Sequence, residues 1–284
     1  MKIGFIGTGV MGSSMASHIG GTQYIYNRTK QKAETLIRDG HIWCETPGEV
    51  ARSADVVFTM LGYPIDVEAI YLGPDGLLEN GTPGQIYIDC TTSSPELAQK
   101  IYNAAKVKDI DVLDAPVSGG DIGAKNGTLS VMVGGEEAVL KKVLPLLEKF
   151  SSSVTYFGAA GSGQHTKMAN QIAIATNMIG MAESLYYAHH AGLDVEKVLE
   201  TISKGAAGSW SLSNLAPRIL DGNYEPGFYT HHFLKDMKIA LDEAEKMGIT
   251  LPGLALSYKL YNTLSTDIKE TTGTHAIYQY YDEK

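Results

Sequence analysis

The chain has 284 residues, 44% of them hydrophobic and 19% charged, which supplies a sizeable core and argues against extended disorder. Its net charge of −9 is shared, −5 over residues 1–160 and −4 over residues 161–284, so neither half offers the basic face that nucleic acid requires. Cys44 and Cys90 are too few for a disulfide scaffold. No His/Cys/Asp cluster has metal-ligand spacing, and the His189-His190 and His231-His232 pairs read as surface or packing histidines.

The first predicted element is a strand over Lys2–Ile6, which runs straight into Gly7-x-Gly9-x-x-Gly12 and a helix over Val10–His18. A short link, His18–Gly21, leads to a second strand over Gln23–Tyr26. A strand–glycine turn–helix–strand unit is a dinucleotide-binding fingerprint. Gly7 permits the tight turn, Gly9 lets backbone approach the pyrophosphate, and Gly12 lets helix and strand pack closely. With Val10 and Met11, the helix N-terminus offers N–H groups and a positive dipole end to phosphate. A merely structural glycine turn is the alternative, and the flanking elements favour the nucleotide.

The second strand ends in Asn27-Arg28-Thr29. A cofactor with a free ribose 2′-OH usually meets an acid at this point, and none is present. An amide, a guanidinium and a hydroxyl suit a 2′-phosphate, and Arg28 is also suited to stacking on adenine. NADP is therefore expected over NAD, which stays possible.

Short apolar runs follow at Asp55–Leu61, Gln85–Asp89, Val112–Ala115, Leu129–Val133 and Val154–Phe157, with helical patterns at Lys30–Asp39, Pro95–Val107 and Glu136–Phe150. This alternation predicts a doubly wound, mostly parallel sheet over residues 1–160, a Rossmann-type α/β domain. Ligands of such sheets lie beyond the carboxyl ends of the strands, which places Met60, Leu61 and Thr91-Thr92 beside the cofactor.

The pattern changes at the glycine-rich turn 158–163. A long helix over Gln164–Ala191, apolar on most sides, is expected to form the spine of an all-helical domain over residues 161–284. Further helices are predicted over Asp194–Lys204, Ser209–Leu220, His232–Met247 and Pro252–Leu264. The tyrosine-rich Tyr278–Tyr281 is expected to pack on a partner or to fray. Asn177 and Glu183 interrupt the most apolar stretch, Ile172–Ala188, so it reads as a buried helix and not a membrane span. With no signal peptide visible, a reducing cytoplasm is the expected setting.

Two segments carry chemistry. In Asp114-Ala-Pro-Val-Ser118-Gly119-Gly120, a serine and paired glycines at a strand end can present successive N–H groups to a carboxylate. An ordinary glycine loop is the alternative. In Gly161-x-Gly163-x-x-x-Lys167-x-x-Asn170-Gln171, a lysine lies one turn into a largely apolar helix with two amides on its face. A desolvated lysine exchanges protons near neutral pH; a lysine snorkelling to solvent does not need a role.

Four ordered motifs, Gly7–Gly12, Asp114–Gly120, Gly161–Gln171 and Phe233-Leu-Lys235-Asp236, resemble those of the β-hydroxyacid dehydrogenase family over nearly the full length. That family includes 3-hydroxyisobutyrate dehydrogenases, tartronate semialdehyde reductases and glyoxylate/succinic semialdehyde reductases. The resemblance implies a Rossmann domain followed by a helical domain, an active site in the cleft between them, and homodimers or homotetramers built through the helical part. It implies that Lys167 is the catalytic acid/base. Ser118, Gly119 and Gly120 would hold the substrate carboxylate, Thr92 would contact the nicotinamide side, and Phe233, Lys235 and Asp236 would close the site around the cofactor. The amide pair is Asn170-Gln171, as in the tartronate semialdehyde reductase type, and either residue is placed to support Lys167 or the substrate. Trp210, in Gly205–Ser211, either walls the substrate pocket or anchors the core.

The function implied is hydride transfer between a nicotinamide and a short 3-hydroxy acid or its semialdehyde, with Lys167 exchanging the hydroxyl proton. An imine reductase-like enzyme of the same fold and a non-catalytic NADP-binding interaction module are the rival readings. The retained lysine speaks against both.

Overall fold

The computed structural model describes residues 1–282. It divides into two compact units, Met1–Lys167 and Met168–Lys284.

The first unit is a nine-stranded sheet. Its strands are β1 (Ile3–Ile6), β2 (Gln23–Tyr26), β3 (Ile42–Trp43), β4 (Val56–Thr59), β5 (Ile86–Asp89), β6 (Asp111–Asp114), β7 (Val117–Ser118), β8 (Leu129–Gly134) and β9 (Ser151–Gly158). They lie in the order β3-β2-β1-β4-β5-β6-β8-β7, with β9 beside β8. The strands from β3 to β6 are parallel, with Ile3 opposite both Gln23 and Val56; β8 runs antiparallel to β6 and β7. The chain order reverses between β1 and β4, which makes the carboxyl ends of these strands the switch point where such sheets bind ligands.

The connecting helices are α1 (Val10–Ile19), α2 (Glu34–Arg38), α3 (Pro47–Ser53), α4 (Pro64–Leu72), α5 (Leu77–Asn80), α6 (Pro95–Lys106), α7 (Gly120–Asn126) and α8 (Glu137–Leu147). Because both faces are covered, the central strands are buried throughout and do not alternate. Phe5, Phe58 and Ile88 enter one core with Met15 and Phe150. Their neighbours Ile6, Val57 and Tyr87 enter the other with Val50 and Tyr71. That split is the period of two expected of strands.

The second unit is helical. It consists of most of α9 (Ser162–His190), then α10 (Val195–Ile202), α11 (Trp210–Asn214), α12 (Ala216–Leu220), α13 (Thr230–Lys246), α14 (Pro252–Thr263), α15 (Thr266–Thr271) and α16 (Gln279–Asp282). No strand is formed among its described residues.

Several expectations need correction. The segment 30–39 is a 3₁₀ turn over Lys30–Ala33 followed by α2. The segment 209–220 splits into α11 and α12, because Pro217 lacks the N–H that would continue one helix. Helices α3 and α4 were missed, although each opens on a proline, a residue favoured at the first helical position. Helix α9 is buried along one stripe only. Ala175, Met178, Ile179, Ala182 and Leu185 are buried at helical spacing, while Thr176, Asn177, Gly180 and Tyr187 are exposed. The tyrosine tail does not fray: the Tyr281 hydroxyl donates to Glu183 Oε1 at 3.1 Å and its ring lies 5.7 Å from that of Tyr186. No helix among the described residues is long and apolar enough to cross a membrane.

Candidate active site

The glycine fingerprint lies at the carboxyl end of β1, and its three glycines do three different things. Gly7 has φ +92°, and a side chain there would strike the Met60 carbonyl. Gly12 is pressed onto the Gly7 carbonyl oxygen, where a Cβ would overlap it. Gly9 faces open space, with nothing within 4 Å of where a Cβ would stand. Two glycines thus hold the turn together, and the third keeps a hollow clear above it.

Gly9 caps α1 without a side-chain hydrogen bond, and the first turn of α1 has no acidic residue. By contrast, α3 is capped by Thr46 and α6 by Ser94. An uncapped helix start beside an open glycine suits the pyrophosphate of a dinucleotide. Met11 is half-buried, and Val10 is 66% exposed at the rim.

Around this turn, Asn27 Oδ1 accepts from Thr8 N at 3.0 Å and Asn27 Nδ2 donates to the Thr29 carbonyl at 2.8 Å, so the amide braces the loop. Arg28 is largely exposed, and its guanidinium pairs with Asp66 at 3.0 Å. Such a surface pair contributes at most about 1 kcal/mol. It leaves the guanidinium available to a phosphate.

Met60 and Leu61 follow β4 and are half-buried. Leu61 N donates to Thr91 Oγ1 at 2.9 Å, which ties the loops after β4 and β5 together. Under them, Asp89 Oδ1 accepts from Thr59 Oγ1 at 2.7 Å and from Thr91 N at 3.1 Å. Burial pushes the Asp89 carboxyl up to about 6. Thr92, next along, is half-buried.

Lys167 is 6% exposed, which rules out the snorkelling alternative, and its Nζ donates to the Val117 carbonyl at 2.8 Å. Val117 immediately precedes Ser118-Gly119-Gly120. Gly119 has φ +129° and Gly120 φ +64°, a backbone open to few residues but glycine. The structure therefore brings Lys167 and the Ser118–Gly120 loop together. Gly119 caps α7 without a side-chain bond, but Asp121 stands in the first turn of α7.

The start of α9 is held by Asp114 and Gln164, two motif residues for which the sequence suggests no role. Asp114, 3% exposed, accepts from Gly161 N at 2.8 Å and from Gln164 N at 2.9 Å. Gln164, fully buried, accepts from Ser93 N at 2.9 Å and donates to the Thr91 carbonyl at 2.7 Å. A polar residue at a buried position one turn before the lysine was the available signal.

In the helical unit, Asn170 Nδ2 donates to Gln171 Oε1 at 2.8 Å, and Gln171 Nε2 donates to Asp236 Oδ2 at 2.6 Å. The Lys235 ammonium lies 3.0 Å from Asp236 Oδ1. Gln171 and Asp236 are each 1% exposed and stand behind Asn170 and Lys235, to which they are bonded. Phe233 departs from its expected cofactor contact. It is fully buried, edge-on to Tyr261 at 5.3 Å and to Phe228 at 5.8 Å, and is a core residue. Trp210 is 62% exposed, so it is no core anchor.

Comparison with known proteins agrees with this geometry. Residues 2–158 match the NAD-binding domain of 6-phosphogluconate dehydrogenase. Residues 161–281 match the NAD-binding region of NADP-dependent 3-hydroxyisobutyrate dehydrogenase. An uncharacterized oxidoreductase, YkwC, of Bacillus subtilis is 56% identical over 98% of this chain and 97% of its own. A probable mitochondrial 3-hydroxyisobutyrate dehydrogenase-like protein of Arabidopsis thaliana is 49% identical over 97% of this chain and 84% of its own. The 2-hydroxy-3-oxopropionate reductase of Escherichia coli is 35% identical over 94% and 92%. Among solved structures, Mycobacterium tuberculosis 3-hydroxyisobutyrate dehydrogenase with L-serine superimposes with a TM-score of 0.89 at 27% identity, covering 99% of this chain and 98% of that one. The chain belongs to the β-hydroxyacid dehydrogenase family and is an NAD(P)-dependent hydroxyacid dehydrogenase.

Proposed function

We propose that the enzyme interconverts a short 3-hydroxy acid and its semialdehyde, with Lys167 as general acid/base and NADP as the preferred cofactor. The observation that carries this reading is the buried Lys167, whose Nζ is fastened 2.8 Å from the carbonyl of the residue before Ser118-Gly119-Gly120. The proton-transfer group thereby meets the loop one residue before the proposed carboxylate anchor.

Bound NADP(H) supplies the hydride acceptor or donor at the carboxyl edge of the sheet. Gly7, Gly9, Gly12 and the start of α1 hold its pyrophosphate, with Met60, Leu61 and Thr92 alongside. Asn27, Arg28 and Thr29 suit a 2′-phosphate. Ser118, Gly119 and Gly120 orient the substrate through its carboxylate, which contributes proximity. In reduction, the Lys167 ammonium gives its proton to the oxygen of the carbonyl that receives hydride; in oxidation the neutral amine takes that proton back. Asn170 and Lys235, braced by Gln171 and Asp236, and the exposed Trp210 are assigned to the substrate and cofactor side of the helical unit. A homo-oligomer built through the helical unit and a cytoplasmic setting complete the proposal.

Lys167→Ala tests it. The variant is expected to bind NADPH normally and to lose roughly 10² to 10⁴ in kcat, the range for lost acid/base catalysis. Near-normal turnover at neutral pH would overturn the role. The wild type is expected to prefer NADPH over NADH by at least about tenfold, roughly 1.4 kcal/mol. Asn27→Asp with Arg28→Leu should erase that preference, because the aspartate keeps the acceptor for Thr8 N while the guanidinium is gone. A wild type that favours NADH defeats the NADP assignment.

A further inference from the structure

Asp114 stands at the carboxyl end of β6, register-paired with Asp89 at the end of β5. Both of its oxygens are directed at the start of α9, one to Gly161 N and the other to Gln164 N. The surroundings are fitted to it. A Cβ on Gly134 would come within 2.6 Å of Asp114 Oδ1, and one on Gly163 within 2.8 Å of Asp114 Oδ2. Gly134 therefore leaves room for the carboxylate, whereas a Cβ on Gly163 would first strike the backbone carbonyls of Met132 and, at 2.7 Å, Asp114.

The second tie is independent of the first. Gln164 spans Ser93 N and the Thr91 carbonyl, which joins the first turn of α9 to the loop after β5. Lys167 comes three residues later on the same helix and so takes its height and rotation from that turn. Its Nζ meets the Val117 carbonyl, three residues beyond Asp114 in the same segment. One stretch, Asp114 to Gly120, thus fixes the start of the lysine's helix, receives the lysine's ammonium, and ends in the anchor loop.

We propose that Asp114 is a positioning residue for proton transfer: with Gln164 it clamps the first turn of α9 and so sets the reach of Lys167 toward the Ser118–Gly120 loop. This rests on the reading of Lys167 as acid/base. A carboxylate is needed because two backbone N–H donors must be met at once, and a negative charge is favourable at a helix N-terminus. Asparagine has one acceptor oxygen, and its NH₂ would face one of the two N–H groups. The helix would shift to relieve this, and a displacement of the order of 1 Å at a reacting group lowers rates by roughly a hundredfold.

The test is a double-mutant cycle on the full-length enzyme, read by single-turnover oxidation of bound NADPH. Asp114→Asn is expected to lower kcat roughly ten- to hundredfold while KM and NADPH affinity stay near wild type. In the Lys167→Ala background the same substitution is expected to change the rate by less than about twofold, because the group it positions is gone. Gln164→Met, which removes both ties to the β5 loop, is expected to follow the same pattern and carries the test if Asp114→Asn does not fold. Losses that multiply in the double variant, or a rise in KM in place of a fall in kcat, overturn the proposal. Normal turnover of Lys167→Ala alone defeats the acid/base reading, and is recognised separately from the cycle.

Discussion

The two units make their sites from different material. In the sheet unit the groups proposed to face a ligand are largely backbone: the bare turn around Gly9, the uncapped start of α1, and the Gly119–Gly120 loop. Side chains such as Asp89, Asp114 and Gln164 are buried and fix other backbone, at Thr91, at the start of α9 and at the loop after β5. In the helical unit the order is reversed. Backbone hydrogen bonds are used up within the helices, so the proposed site is a file of side chains, Asn170, Gln171, Asp236 and Lys235. The first unit should therefore be damaged by adding side-chain atoms, and the second by removing them.

The glycine turn gives the largest expected effect and splits it cleanly. Gly12→Ala forces a Cβ into the Gly7 carbonyl and should destabilise the sheet unit by at least about 3 kcal/mol, as severe overpacking does. Gly9→Ala meets nothing within 4 Å and should change stability by less than about 0.5 kcal/mol. It should nevertheless weaken NADPH binding by more than about tenfold, because the methyl fills the hollow. Chemical denaturation and fluorescence titration of the two variants decide the matter. If Gly9→Ala binds NADPH as the wild type does, the hollow is not the pyrophosphate site.

Truncation is the counterpart in the helical unit. Asp236→Ala removes the acceptor of Gln171 Nε2 and the carboxylate beside Lys235, whose side chain is 12% exposed. Stripping one partner from a buried pair should cost about 3 kcal/mol. Asp236→Asn keeps an acceptor for Gln171 and should lose less. The chain has two tryptophans, Trp43 in the sheet unit and Trp210 in the helical unit, so fluorescence in a Trp43→Phe background reports the helical unit. An unchanged denaturation midpoint for Asp236→Ala would mean that the file of side chains contributes little.

The same contrast explains what could be read from the chain in advance. Gly7, Gly9 and Gly12 lie within six residues, and their roles follow from local backbone geometry, so the turn and its ligand were legible. Lys167 was legible as a polar residue on an apolar helix. Its seat was not, because Asp114 and Gln164 are 50 residues apart and meet through sheet topology. Gln171 and Asp236 are 65 apart, and periodicity alone cannot say which helices face each other. Phe233 was misread because motif proximity stood in for burial, whereas its place on α13 turns it into the core.

Acid should pull the two units in opposite directions. Burial pushes the Asp89 carboxyl up to about 6 from an ordinary 3.8, and raises Asp114 as well. Between those values the unfolded chain releases its proton first, so the sheet unit loses stability as pH rises from about 4 to about 6. In the helical unit burial, His231 and Lys235 hold the His232 ring down to about 4 from 6.5. Its contribution is complete above 6.5 and is lost as pH falls toward 4. The Asp89 effect should be about 3 kcal/mol, and the His232 part smaller because the ring is partly solvated. Stability followed by Trp43 and Trp210 fluorescence, with Asp89→Asn and His232→Gln as controls, should show slopes of opposite sign that each variant flattens. Variants that leave both slopes untouched would remove these groups as the cause.

The smallest effect concerns a difference within the sheet unit itself. Helix α1 has no acid in its first turn, as befits a site for a phosphate, whereas α7 carries Asp121 in its first turn. If the substrate carboxylate binds at Ser118-Gly119-Gly120, it does so against that charge. A like charge in the first turn opposes an anion by about 0.3 to 1 kcal/mol at low ionic strength. Asp121→Asn should therefore lower KM for the carboxylate substrate by about twofold to fivefold in dilute buffer. The gain should fade in high salt, where the interaction is screened. Neither kcat nor NADPH affinity should move, since Asp121 lies on neither the lysine nor the glycine turn. The methyl ester of the same 3-hydroxy acid supplies the control, because it lacks the charge that Asp121 repels. An equal change in KM for acid and ester would show that the substitution acts by reshaping the loop. No change for either would move the carboxylate away from this helix start and leave the glycine pair as a turn that shapes the path to Lys167.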